Sequence, residues 1–177
     1  SIADGNRPAD LWTARGAAAG ALADVRRAAV SNPWLAERAL GATELVTYLD
    51  ADGARRAGVV YLPPGVRPGE RPARPLPTVF ELYEDFFDDT FSPTIAVLNA
   101  AGYVVVRPSV GFETGYPGEA WVKGVTAAAN HLVERGLADS ARLGVHGTSY
   151  GGYATNLLVT QTHRFKAAIN VSGKVDL

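Results

Sequence analysis

The chain has 177 residues and a mass of 18.7 kDa, the size of a single domain. Hydrophobic residues make up 47% and mean hydropathy is +0.00, enough to bury a core, which excludes wholesale disorder. With 17 Lys and Arg against 18 Asp and Glu the net charge is −1, so there is no basic footprint for a nucleic acid.

The chain opens on Ser1 rather than Met, and its first residues carry neither a basic n-region nor an apolar h-region, so no signal peptide is visible and the compartment stays open. It reads as a piece of a longer protein. Ala9–Thr13 and Ala23–Ala29 are short segments flanked by Gly and by Asn32-Pro33. Their alternation permits a hairpin, and their alanines also permit a helix. The residue before a proline is pushed out of the helical region, so Asn32-Pro33 is a break.

From Glu44 the pattern sharpens. Glu44–Leu49 and Ala57–Leu62 are rich in β-formers and flank Asp52-Gly53, a hairpin turn. Pro63–Pro77 holds six prolines and two glycines, which makes it an exposed connection. Thr78–Tyr83 reads as a strand, Pro93–Ala101 as a short helix stopped by Gly102, and Tyr103–Arg107 as a strand buried on both faces. Glu119–Arg135 has helical periodicity, with Trp121, Val122, Val125, Ala129, Leu132 and Val133 on one face and Gly136 as its stop. Arg142–His146 is a short buried strand, Tyr153–Thr160 a helix, and Ala167–Ser172 a buried strand. Strands alternating with helices from position 78 predict βαβ units in a parallel sheet covered on both faces. No apolar run approaches the roughly 20 residues of a membrane-crossing helix. The absence of cysteine excludes disulfides, thiol nucleophiles and thiolate metal sites.

The residues that carry chemistry are Gly147-Thr-Ser-Tyr-Gly-Gly-Tyr153, set between a predicted strand and a predicted helix. They match G-x-S-x-G, a sharp turn that projects a serine hydroxyl above a sheet and aims helix N–H groups at it. The glycines Gly147, Gly151 and Gly152 are needed because neighbouring backbone crowds such a turn. The bland reading is a glycine-rich βα turn with an idle serine. A phosphate loop is excluded, since Gly173-Lys174 has Ala168 where the motif needs glycine and Val175 where it needs Ser or Thr.

This segment, with Arg164-Phe-Lys-Ala-Ala168 after it, resembles the prolyl oligopeptidase family of serine peptidases. The resemblance extends upstream through Gly136–Val145, Gly102–Val106, Val60–Pro64 and, in part, Ser31–Leu35. It implies the N-terminal part of an α/β-hydrolase catalytic domain over residues 34–177, a mostly parallel sheet flanked by helices and incomplete within this chain. Residues 1–33 would be the tail of a preceding β-propeller-like domain. It also implies oligopeptide hydrolysis through an acyl-enzyme on Ser149. The oxyanion would be held by the backbone N–H of Tyr150 and the hydroxyl of Tyr83. Read without the resemblance, Tyr83 is an amphipathic aromatic at a strand end.

Two departures stand out. Relatives commonly carry small residues after this tyrosine, whereas here Glu84-Asp85-Phe86-Phe87-Asp88-Asp89 follows. An acidic cluster there opposes an oxyanion unless it points away, meets a substrate's ammonium group, or is simply a solvated loop. The other departure is the base. The order in this fold is Ser, then Asp or Glu, then His, yet only His163 and Asp176 follow Ser149, and neither is well placed. His131 and His146 fall within a helix and a strand and read as structural. The triad acid and base are therefore expected outside this chain.

Asn170-Val-Ser172 fits the glycosylation pattern but falls in a strand expected to be buried. The loop Glu113–Tyr116 is a candidate lining of the substrate cleft. No cofactor or metal is implied. The expected partners are a peptide substrate and the remainder of the polypeptide, namely the propeller and the C-terminal part of the catalytic domain. The alternatives are an esterase or lipase on the same elbow and a hydrolase-like binding module without catalysis.

Overall fold

The computed structural model describes residues 5, 7–16, 18–84, 89–112, 115 and 117–175. Eight strands and three α-helices are formed among them. Near the N-terminus, β1 (Leu11–Gly16) and β2 (Leu22–Ala29) pair antiparallel into a separate two-stranded sheet. The hairpin wins over the helix that the alanines also allowed. Both strands are almost wholly exposed, and Arg27 reaches back to the buried Asp10 at 3.1 Å.

The main sheet has six strands in the order β3-β4-β6-β5-β7-β8. β3 (Thr43–Leu49) and β4 (Arg55–Tyr61) form the antiparallel hairpin that Asp52-Gly53 predicts, with Gly53 at φ 77° in the turn. β4 also pairs antiparallel with β6 (Val104–Pro108). From there the sheet is parallel: β6 with β5 (Leu76–Leu82), β5 with β7 (Ala138–Thr148), and β7 with β8 (Ala167–Val171).

Alternation along the strands divides the core between two faces. On one, Ile95 and Leu98 of α1 (Pro93–Ala100) cover Val59, Tyr61 and Val105. On the other, α2 (Pro117–Glu134) and α3 (Tyr150–Gln161) cover Val60, Phe80, Leu82, Val104, Val106 and Val145. Val104, Val105 and Val106 are all buried, as a strand covered on both sides requires. Complete burial of Phe80 alone contributes about 2–3 kcal/mol.

Helix ends follow local chemistry. Ser92 caps α1, its hydroxyl accepting from the Ile95 N–H at 3.4 Å, and Pro93 occupies the first turn where no N–H is needed. Helix α2 closes at Gly136 (φ 72°), where Leu137 N–H reaches the Leu132 carbonyl at 3.0 Å and Gly136 N–H reaches Val133 at 2.9 Å.

Two elements are longer than expected: β7 runs Ala138–Thr148 rather than Arg142–His146, and its first half is largely exposed. Helix α3 begins at Tyr150 rather than Tyr153, so Gly151 and Gly152 lie inside its first turn. Glycine disfavours helix, but packing against β5 and against Gly173 leaves no room for a side chain there. The strand at Ala167–Val171 forms as expected, and all five of its residues are exposed among the described residues. It is the edge of the sheet, paired with β7 alone among the described residues. Asn170 is accordingly exposed, and its amide is engaged locally, Oδ1 accepting from Gly173 N–H at 2.7 Å.

Candidate active site

The strand order fixes where a site can form. β5 connects through α1 to β6 on one side, while β7 connects through α3 to β8 on the other. Adjacent parallel strands whose connections depart in opposite directions leave a crevice beyond their C-terminal ends, the usual ligand position in open α/β sheets. Tyr83 follows the last residue of β5, and Ser149 follows the last residue of β7. Leu82 and Gly147 are partners in the ladder, so the two residues emerge at nearly the same level on neighbouring strands.

Ser149 has φ 56° and ψ −117° and is exposed. A non-glycine residue with this backbone costs of order 1–3 kcal/mol and persists only where its surroundings dictate it. Three close approaches do so. A Cβ on Gly147 would overlap the carbonyl of Gly151, one on Gly151 would overlap the carbonyl oxygen of Leu82, and one on Gly152 would meet Asn170 Oδ1 and the Gly173 main chain. The Ser149 N–H donates to the Val171 carbonyl at 2.8 Å, and its own carbonyl accepts the Tyr153 N–H at 3.1 Å. The Ser149 hydroxyl caps no N–H of α3. With the Ser149 amide committed to β8, the next N–H along the chain is that of Tyr150, in the first turn where helical N–H groups have no partner within the helix.

Tyr83 is 43% exposed, and its carbonyl accepts the indole N–H of Trp121 at 2.9 Å. Tyr150, next to Ser149 in the chain, belongs to an aromatic cluster: Trp121 meets Phe112, Tyr150 and Tyr153 edge-to-face at 5.2, 5.1 and 5.8 Å between centroids, and Tyr150 stacks on Tyr153 at 5.9 Å. Burial, followed by the neighbouring Tyr153 and Glu84, pushes the Tyr150 hydroxyl above its ordinary pKa, so it is neutral at physiological pH. Sequence reasoning assigned Trp121 only to the apolar face of a helix. No local signal links it to Tyr83, because the contact joins elements far apart in the chain.

Of the acidic cluster after Tyr83, residues 85–88 lie outside the described residues, as do Glu113, Thr114 and Tyr116 of the candidate cleft loop, and Asp176. Asp89 points away from the crevice and accepts from the Gly5 N–H at 2.8 Å and the Thr43 hydroxyl at 3.3 Å. None of the three histidines is brought beside Ser149. His131 packs on the Tyr48 ring at 5.9 Å, and burial holds its pKa below the ordinary value. His146 sits within β7, paired between Glu81 and Ile169. His163 lies beyond the far end of α3, a helix of 12 residues and so about 18 Å long. Among the described residues, no group of His, Asp and Glu is arranged to hold a metal, and no helix is long and apolar enough to cross a membrane.

The model of the prolyl oligopeptidase family matches residues 89–177, from the approach to α1 through the elbow to the end of the chain. The chain belongs to that family. Among curated relatives it is similar to a probable chloroplastic glutamyl endopeptidase of Arabidopsis thaliana, 29% identical over 155 residues, covering 73% of this chain and 16% of that one. It is also similar to the uncharacterized peptidase YuxL of Bacillus subtilis (strain 168), 36% identical over 96 residues, covering 47% and 14%. Among solved structures, a puromycin-hydrolyzing peptidase of Mycobacterium tuberculosis superposes with a TM-score of 0.76 at 25% identity, covering 99% of this chain and 29% of that one. The acylaminoacyl peptidase of Pyrococcus horikoshii superposes at 0.72 with 19% identity, covering 97% and 28%. The chain thus spans about a sixth of the curated relatives' length, and what is superposed is a partial α/β-hydrolase domain with a β-rich segment before it.

Proposed function

We propose that this chain is the nucleophile-bearing part of a serine peptidase that hydrolyses oligopeptides through an acyl-enzyme on Ser149. The observation that carries the reading is the strained backbone of Ser149 at the end of β7, one strand away from Tyr83 and directly before the N-terminus of α3. In the proposed reaction Ser149 Oγ attacks the scissile carbonyl carbon and its proton passes to a histidine outside these 177 residues. The carbonyl oxygen becomes an oxyanion, held by the Tyr150 N–H and the Tyr83 hydroxyl. Collapse breaks the C–N bond, the amine leaves with the histidine's proton, and water then hydrolyses the acyl ester. Each preorganised oxyanion donor is worth about 3 kcal/mol in the transition state.

The substrate class follows the relatives, which are named as peptidases. Residues 1–33, with their separate hairpin, are the end of a preceding β domain in this reading, and residues 34–177 are the first part of the catalytic domain. The partners are the peptide and the rest of the polypeptide.

The test is active-site labelling of the full-length protein with a fluorophosphonate, beside its Ser149→Ala variant. Labelling that depends on Ser149, with turnover of a chromogenic peptide, is the expected result. Absent labelling would return the chain to a binding module. Turnover of esters with no peptide cleavage would make it an esterase.

A further inference from the structure

We infer that Trp121 is a positioning residue for the oxyanion site, acting on Tyr83 through its main chain. The inference rests on the oxyanion role proposed for Tyr83. Tyr83 stands beyond the last residue of β5 and is 43% exposed. Its backbone is held from two sides. From α3, Gly151 lies against Leu82 and the Tyr83 Cα, and from α2 the fully buried Trp121 donates its indole N–H to the Tyr83 carbonyl at 2.9 Å.

A buried indole N–H needs an acceptor, and here the acceptor is the peptide group of the residue proposed to hold the oxyanion. The direction of that N–H is itself fixed. Phe112, Tyr150 and Tyr153 meet the indole at 81°, 63° and 80°, closing off rotation of its plane. One of them, Tyr150, supplies the other proposed oxyanion donor, so a single side chain touches both residues of the site. A turn of about 10° at the Tyr83 Cα moves the distant phenol oxygen by about 1 Å, the scale of misplacement that spoils a catalytic donor.

The experiment compares Trp121 with two replacements in the full-length protein: Trp121→Phe, and 3-benzothienylalanine at position 121, which keeps the bicyclic shape but has no N–H. Each is made with Tyr83 and with Tyr83→Phe, and kcat and KM are measured on a peptide p-nitroanilide alongside thermal melting. With Tyr83 present, the benzothienyl variant should lose about 10-fold in kcat with KM nearly unchanged, and Trp121→Phe at least as much. With Tyr83→Phe, the benzothienyl replacement, which keeps the packing on Tyr150, should cost kcat no further. An equal loss in both backgrounds, or an unchanged kcat in the benzothienyl variant, overturns the inference and leaves the oxyanion reading standing. An unchanged kcat in Tyr83→Phe alone overturns that reading and the inference with it. Should Trp121→Phe fail to fold, the shape-conserving analogue decides.

Discussion

Gly151 in the first turn of α3 lies so close to β5 that a β-carbon there would overlap the carbonyl oxygen of Leu82. This contact draws the helix N-terminus, and with it Ser149, against the strand that ends at Tyr83. It is a backbone-to-backbone approach, so no rotamer change relieves a side chain added to it.

Gly151→Ala is therefore expected to destabilise the protein by about 3 kcal/mol and to abolish labelling of Ser149. Gly147→Ala, which would collide with the Gly151 carbonyl, should behave alike. Urea denaturation of both variants measures this, and near-native stability in either would show that the turn can open without cost.

The backbone of Ser149 carries strain that glycine would not feel. Ser149→Gly should be more stable than Ser149→Ala by about 1 kcal/mol, because alanine retains the positive-φ penalty and glycine does not. Both variants lose labelling. Equal melting temperatures for the two would mean that the strain is absorbed elsewhere.

In the turn after β3, the buried Asp50 accepts from Arg56 Nε at 2.7 Å and from the N–H groups of Asp52 and Ala54 at 3.0 and 2.9 Å. The Arg56 hydrogen bond, opposed by burial, holds the Asp50 carboxyl below its ordinary pKa. A lowered folded-state pKa gives stability that is complete above the ordinary carboxylate range and lost as pH falls through the lowered value. Asp50→Asn should cost about 2 kcal/mol near neutral pH. It should also flatten the acid limb of the stability curve below about pH 4. Urea melts across a pH series test both. An acid limb as steep as in the parent would assign the effect to other carboxylates. Arg56 lies under Gly111, next to Phe112 of the cluster, so the loss should also loosen the packing around Trp121.

Residues 1–177 produced alone are expected to turn over a chromogenic peptide or ester barely above background. A serine hydroxyl without an adjacent base is a weak nucleophile, and no histidine here is held beside Ser149. Robust turnover that vanishes with Ser149→Ala would point to His146 or His163 as the base.

The sequence by itself determined what depends on near neighbours. Gly147-Thr-Ser-Tyr-Gly-Gly152 encodes a strand, a turn and a helix because its glycines leave no β-carbon where the main chain crosses itself. The β-branched run Val104–Val106 encodes a strand covered on both faces. It could not encode the start of α3, since glycine's poor helix propensity argues against a helix that packing imposes. The resemblance implied a shared role for Tyr83 and Ser149, and tertiary structure decided that they follow the ends of neighbouring strands. That follows from β5 lying between β6 and β7 in the sheet. The indole N–H of Trp121 on the Tyr83 carbonyl arises in the same way: helical periodicity turns Trp121 inward, and only the packed sheet decides what its polar edge meets.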